Sequence, residues 1–181
     1  MSERFDALTD QHISFIEDQH IYFVGTAANE GSVNVSPKGM DSFRVINQSL
    51  VMWLNLTGSG NETAAHLREN DRMTIMFCSF DRQPLILRLY GRATVFHPRD
   101  DGWNQRAAQF PDYTGARQIF EVKLDLVQTS CGFAVPYYQL LGERPTLNKW
   151  ADGRGREGVE DYWQEKNTVS LDGKDTGIAS R

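Results

Sequence analysis

Two periodicities divide the chain. Between Thr9 and Gln19, Ile13 and Ile16 lie one helical turn apart behind Asp10, and Thr9 stands where a cap is needed, so the pattern predicts a short N-terminal helix. From residue 21 onward the apolar positions come in strand-like runs over 21–27, 32–36, 42–46 and 50–56. The links between them, 28–31, 37–41 and 47–49, are of hairpin length and rich in turn formers. In Ser32-Val33-Asn34-Val35-Ser36 the alternation is strict, which predicts Val33 and Val35 on the core face and Ser32, Asn34 and Ser36 on the other.

Helix formers fill residues 61–70, predicting a helix with Ala64 and Leu67 turned inward. Strands resume over 72–80 and 85–96 around the turn Asp81-Arg82-Gln83-Pro84. A short helix over 98–110 follows, and then residues 118–127, where Phe120, Val122, Leu124 and Leu126 alternate onto one side. Strand runs joined by tight turns with few helices between them predict a mainly β, antiparallel closed barrel with peripheral helices, not a parallel sheet. After Val135 the pattern loosens into Pro136-Tyr137-Tyr138, Arg144-Pro145, a Gly/Arg loop over 153–158 and a helix over 159–166. The expected organisation is a barrel domain over 1–135, with the N-terminal helix, and a C-terminal extension over 136–181 that is not a second domain. That extension carries Tyr137, Tyr138, Trp150, Tyr162 and Trp163, more aromatics than a solvated tail keeps, so it is expected to pack on the barrel or on a partner subunit.

Composition narrows the function classes. In 181 residues, 40% hydrophobic, there is enough apolar material for one well-filled core. The net charge of -5 and the lack of any basic run argue against a nucleic-acid partner. No apolar run approaches the roughly 20 residues of a membrane-spanning helix, and residues 1–10 are acidic and polar where an export signal needs a basic start and an apolar stretch. A soluble, cytoplasmic protein is therefore expected. Cys78 and Cys131 could form one disulfide, but Cys78 sits in an apolar run where a thiol packs as a small hydrophobe, so buried free thiols are expected. His12, His20, His66 and His97 have no metal-ligand spacing, and no metal is expected.

The stretch Asn55-Leu56-Thr57-Gly58-Ser59-Gly60-Asn61-Glu62-Thr63 runs from a strand through a Gly-rich turn into a helix, a geometry that points backbone N–H groups and small hydroxyls at one spot suited to phosphate. It lacks the Gly-Lys-Ser/Thr of a Walker A loop and the third glycine of a dinucleotide fingerprint. A turn of this kind is more often plain connection. Two further elements strengthen the reading. Ser36-Pro37-Lys38-Gly39 ends a neighbouring strand with a lysine able to bring a point charge to a phosphate, and Arg88 stands in the otherwise apolar Leu85-Ile86-Leu87-Arg88-Leu89-Tyr90. Taken singly, Lys38 reads as a solvated turn residue and Arg88 as an ion pair or an exposed strand face; together with the loop they favour a site. Gly153-Arg154-Gly155-Arg156-Glu157-Gly158 fits the dinucleotide pattern literally, but no buried strand precedes it, and a flexible loop is expected there. No Gly-x-Ser-x-Gly elbow occurs and Cys131 has no basic neighbour, which argues against hydrolase chemistry.

The order of Phe23-Val24-Gly25-Thr26-Ala27, Asn34-Val35-Ser36-Pro37-Lys38-Gly39, the block 53–63, the strand 72–80 and Leu87-Arg88-Leu89-Tyr90-Gly91 resembles the N-terminal domain of the pyridoxamine 5'-phosphate oxidase-like flavoproteins, over roughly 10–127. The Ser-Pro-Lys-Gly and Gly-Ser-Gly-Asn-Glu-Thr blocks are the specific parts. The resemblance implies a six-stranded antiparallel split β-barrel and a homodimer that holds FMN in grooves between its subunits. It aligns Ser36, Pro37 and Lys38 with the segment beside the flavin and its phosphate, and Ser59, Asn61, Glu62 and Thr63 with the loop completing the phosphate pocket. Trp53 and Leu54 fall on the strand lining the flavin, and Arg88 on a strand bordering the site. The stretch 162–177 is similar to the tail of one subgroup.

Two departures bear on activity: Val33 stands where the oxidase itself carries an arginine, and Arg144-Pro145-Thr146-Leu147-Asn148 lacks the second Arg and the His of its substrate-phosphate segment. These argue against vitamin B6 oxidation and leave flavin binding intact. Two functions follow from the resemblance: a flavin-dependent oxidoreductase on a small molecule, in which the cofactor carries the redox chemistry and no protein acid or base is named, or a non-catalytic binder of flavin, haem or another planar ligand.

Overall fold

A computed structural model describes residues 2–179. In chain order the elements are β1 (Glu3–Phe5), α1 (Asp10–Glu17), β2 (Tyr22–Ala27), β3 (Val33–Lys38), β4 (Phe43–Asn47), β5 (Leu50–Leu56), α2 (Glu62–Leu67), β6 (Arg72–Cys78), β7 (Ile86–Phe96), α3 (Trp103–Ala107), β8 (Ala116–Ser130) and α4 (Thr146–Lys166). The strands form one sheet in the order β3-β2-β6-β7-β8-β5-β4, with β1 added to β8, and every pairing is antiparallel.

The longest strand sets the architecture. β8 lies along β7, and on its other edge it serves two neighbours, pairing first with β5 through Lys123 and then with β1 from Val127 to Thr129. Between these partners the β7–β8 register slips at Tyr90/Gly91, a bulge that lets the strand turn the corner of the barrel. Glycine is required there, because a Cβ at position 91 would collide with the Lys123 carbonyl. The slip also shifts the inward face: Phe120, Val122 and Leu124 are buried as the alternation predicts, but beyond the bulge Val127, not Leu126, is the next fully buried residue.

The end strands β3 and β4 do not pair with each other, and side chains close the gap. Phe43 of β4 meets Tyr22 and Phe77 with ring centroids 5.0 and 5.1 Å away, and the Tyr22 hydroxyl lies 3.0 Å from Ser42 Oγ. This is the split antiparallel barrel that the resemblance implies. Among the described residues it has eight strands where the resemblance implies six; seven of them correspond to the strand runs of the sequence, and the eighth is β1, whose Glu3-Arg4-Phe5 is too short and too polar to register as a periodic run. The interior holds Val24, Val51, Trp53, Ile75, Phe77, Leu87, Leu89 and Phe120, with Trp53 stacked on Phe120 at 4.4 Å. A second cluster of Met52, Leu54, Phe110 and Ile119 lies under α3, and a third joins Ala151, Val159 and Trp163 of α4 to Ile178.

Local signals account for α1 and α2. Thr9 caps α1 in a reciprocal exchange with His12, and Ile16 buries itself in the core as its spacing predicts. α2 turns Ala64 fully inward, with Leu67 packed at the core's margin. Among the described residues no helix is long and apolar enough to cross a membrane.

Three expectations are corrected. Residues 153–158 are not a flexible loop but part of α4. The helix breaks only at Gly155, whose φ of 69° and ψ of 170° suit glycine, and it continues because Ala151, Val159 and Trp163 find a common apolar surface. Val33 and Val35 are 73% and 65% exposed, whereas Asn34 and Ser36 are half-buried. The alternation of β3 is right and its faces are reversed, because β3 is an edge strand whose polar side lines a cleft. Both cysteines are free, but only Cys78 is buried; Cys131 is exposed just beyond the end of β8. The C-terminal aromatics divide: Trp163 is buried, Trp150 meets Tyr162 edge-on at 5.1 Å, and Tyr137 and Tyr138 are largely exposed.

Candidate functional site

Three strand ends and one loop converge on a cleft of about 340 Å³. On β3, strict alternation presents Asn34, Ser36 and Lys38 to it. On β5 the same alternation keeps Trp53 in the barrel interior and brings Asn55, two residues on, out at the cleft floor. The chain then runs through Gly58-Ser59-Gly60 into Asn61, Glu62 and Thr63 at the start of α2, which form the facing wall. Arg117 completes the cleft. The β5–β8 register shifts between Asn55, opposite Gln118, and Leu56, opposite Ala116; Arg117 is left unopposed, and this bulge re-aims its side chain.

The cleft carries positive charge without compensation. Among the described residues neither Lys38 nor Arg117 has an ion-pair partner, and both are deeply placed, Arg117 being only 2% exposed. Burial, with the nearby charge of Arg117 adding to it, pushes the Lys38 ammonium down to about 8. Burial likewise pushes Arg117 down to about 10, partly offset by Tyr162. The cleft's carboxylate, Glu62, pairs with neither cation; both of its oxygens accept the Leu171 N–H at 3.0 Å.

A relay of amides positions the lysine. Lys38 Nζ donates to Asn55 Oδ1 at 3.3 Å, and Asn55 Nδ2 donates to Gln118 Oε1 at 2.9 Å, beneath an ammonium 5.1 Å from the Trp53 ring centroid. Among the described residues several buried polar atoms here have no partner: Ser36 Oγ, Asn61 Oδ1 and Arg117 Nε in the cleft, and Gln118 Nε2 next to it. Unsatisfied donors beside uncompensated cations are costly in a folded chain, and an anionic ligand with hydroxyls relieves both.

Lys38 also borders a second, larger groove of about 1070 Å³. Its walls are Pro37 to Met40 on one side, Phe80 with Tyr138 edge-on at 5.4 Å on another, and Leu140, Leu147 and Trp150 from the C-terminal segment. The lysine is thus the junction between a small polar cleft and a wide, mostly apolar groove.

Of the predicted site residues, Ser36, Lys38, Ser59, Asn61, Glu62 and Thr63 meet in the cleft, and Pro37 lines the adjoining groove. Trp53 lies beneath Lys38, inside the barrel. Leu54 points the opposite way, into the cluster under α3. Arg88 does not join them; between the buried Leu87 and Leu89 it faces outward and donates to Ser130 Oγ at 3.0 Å. Sequence reasoning missed Asn34, Asn55 and Arg117. Asn34 was legible as the partner of Ser36 in the alternation, had the faces of β3 been assigned correctly. The available signal for Arg117 is the pair Arg117-Gln118 opening a run of apolar alternation, but nothing local marks the bulge that aims it.

The sequence profile of the pyridoxamine 5'-phosphate oxidase family matches residues 8–131. The pyridoxamine 5'-phosphate oxidase family protein ustO of Aspergillus flavus is 37% identical over 188 residues, spanning 93% of this chain and 75% of that protein. Among solved structures, HupZ of Group A Streptococcus superposes with a TM-score of 0.51 at 16% identity, covering 66% of this chain and 92% of its own. A FAD-binding protein from Mesorhizobium loti gives 0.50 at 11% identity, covering 71% and 97%. At these identities the two structures show a shared fold.

Proposed function

This chain belongs to the pyridoxamine 5'-phosphate oxidase family, and from that premise we propose that it binds FMN and acts as a flavin-dependent oxidoreductase on a small molecule. The observation that carries this reading is the pair of cations without an ion-pair partner among the described residues, the buried Arg117 and the half-buried Lys38, in a cleft that opens beside a wide apolar groove. The cleft suits a phosphate monoester, and the groove suits a flat ring system. Lys38 and Arg117 would hold the phosphate charge, Ser36, Ser59 and Thr63 would add hydroxyl contacts, and the unpartnered Asn61 Oδ1 would accept from a ligand hydroxyl. Bound flavin supplies the hydride or electron chemistry. The protein residues orient it and control access from the groove, where Tyr138 and Trp150 flank the approach.

The same reading includes a homodimer with the flavin site at the subunit interface. Val33 and Val35 present an apolar strip on the outer face of the strand whose inner face lines the cleft, so a second subunit covering that strip would sit beside the ligand. Residues 136–181 then act as an extension of the barrel domain, since α4 and the residues after it pack on the β5–α2 loop: Trp163 Nε1 donates to Thr57 Oγ1 at 2.8 Å.

The test is the chromophore that copurifies with the protein, identified by extraction and mass spectrometry, followed by anaerobic reduction with nicotinamide donors and a substrate panel. FMN that is reduced with turnover is the expected result. Colourless protein without affinity for added FMN overturns the reading, and tightly held flavin with no specific turnover replaces the oxidoreductase with a carrier.

A further inference from the structure

The chain beyond α4 is not spare. Residues 167–178 form a strap across the back of the cleft: Asp172 accepts from Ser32 N–H at 2.7 Å, Lys174 pairs with Glu69 at 2.6 Å, and Arg99 donates to the carbonyls of Gly177 and Ile178, both at 2.6 Å. Its first residue, Asn167, is fully buried and bonds four of the residues that line the cleft, Gly58, Ser59, Asn61 and Arg117. Asn167 Oδ1 accepts from Arg117 Nη1 at 2.6 Å, and its Nδ2 donates to the carbonyls of Gly58 and Ser59 at 3.2 and 3.4 Å. Its own carbonyl accepts from Asn61 Nδ2 at 3.3 Å and from Thr176 Oγ1 at 2.6 Å.

We propose that Asn167 is a positioning residue of the anion site: it aims the buried Arg117 guanidinium at the cleft and tethers the Gly58–Gly60 loop to it, while leaving the arginine's charge uncompensated. This rests on the reading that the cleft takes a phosphate. A buried guanidinium is ordinarily matched by a carboxylate, because an unpaired charge in the interior destabilises the fold. Here the close partner is a neutral amide, which satisfies one donor and fixes the direction of the group without cancelling its field. Among the described residues Arg117 Nε has no partner, so donor capacity as well as charge is held for a ligand. A helix cap alone would need only the Asn167 backbone, whose N–H already bonds the Trp163 carbonyl at 2.9 Å. The side chain's separate bonds to arginine and loop call for another role, and the strap supplies the rigid backbone that this role requires.

The test compares affinities for FMN and riboflavin, which differ only in the phosphate, by flavin fluorescence quenching in wild type, Asn167→Ala, Arg117→Met and the double variant. In wild type FMN should bind more tightly than riboflavin. Asn167→Ala should lower that preference about tenfold with little change for riboflavin, and in the Arg117→Met background it should lower the preference much less, because most of its effect runs through the arginine. Should Asn167→Ala not fold, Asn167→Asp keeps the size and the acceptor but adds a charge that cancels Arg117, and the preference should fall equally. An equal loss for FMN and riboflavin, or additive losses in the double variant, would show a merely structural strap and overturn the proposal. A wild type that binds both flavins alike would overturn the phosphate reading itself, before any variant is compared.

Discussion

Raising the pH from 7 to 9 should weaken FMN binding about tenfold and leave riboflavin binding nearly unchanged. Burial and the neighbouring Arg117 hold the Lys38 ammonium at about 8 in place of the usual 10.5. A group with that value is roughly nine-tenths charged at pH 7 and one-tenth charged at pH 9. A phosphate monoester, with its second ionisation near about 6, stays dianionic throughout. If the charged lysine is the form that binds, affinity follows the charged fraction. In the ligand-free protein the sign is opposite. The folded state releases the Lys38 proton more readily than the unfolded one, so the cost of a buried charge is fully present below about 8 and fades as pH rises toward 10.5. Lys38→Met should therefore remove the pH dependence of the FMN-to-riboflavin ratio, lower FMN affinity already at pH 7, and leave the melting temperature of the ligand-free protein equal or higher. Fluorescence titrations of both flavins at half-unit pH steps measure the ratio directly. A ratio constant between pH 7 and 9, or an undiminished slope in Lys38→Met, would refute the placement of the phosphate at this lysine.

Gly91→Ala should lower unfolding stability by about 1–3 kcal/mol in thermal or urea melts, because its new Cβ meets the Lys123 carbonyl where the strand turns; an unchanged midpoint would mean that the bulge accommodates a side chain freely. Arg88→Gln should leave FMN affinity within about twofold of wild type, since the arginine bonds Ser130 outside the cleft, and a drop of about tenfold or more in the same titration would return it to the site. Replacing Val33 and Val35 together with Asp should shift the light-scattering mass from twice 20.6 kDa to 20.6 kDa. A wild type already at the lower mass, with flavin bound, would remove the dimer from the account.

Much of the barrel was legible because a period of two is a local property. The runs of β2, β5, β6 and β7 alternate or stay apolar within single strands, and the short links β2–β3, β4–β5 and β6–β7 favour antiparallel hairpins. Thr9 announced the start of α1 for the same local reason: the cap and its partner His12 are three residues apart. Half of the cleft was legible too, since Ser36, Lys38 and the Gly58-Ser59-Gly60 turn are contiguous motifs whose chemistry does not depend on distant chain.

Periodicity, however, states that two faces differ without stating what each one meets. Val33 and Val35 alternate as a core face does, yet β3 lies at the sheet edge and its polar side, with Lys38, closes over Asn55, a fact fixed by pairing with β2 alone. The phase change after Leu124 and the exposure of Arg117 to the cleft both come from bulges, which exist only in the register between two strands and leave no mark in either one. The same holds for the helix through Gly155, which persists because Val159 and Trp163 reach a surface made by Ile178 and the barrel. What the sequence determined by itself was therefore every strand but β1, their antiparallel sense and the loop and lysine suited to phosphate. The tertiary structure decided which face of β3 is inside, and it brought Arg117 and Asn167, fifty residues apart, within 2.6 Å, because contacts between distant segments depend on register and packing that no local pattern encodes.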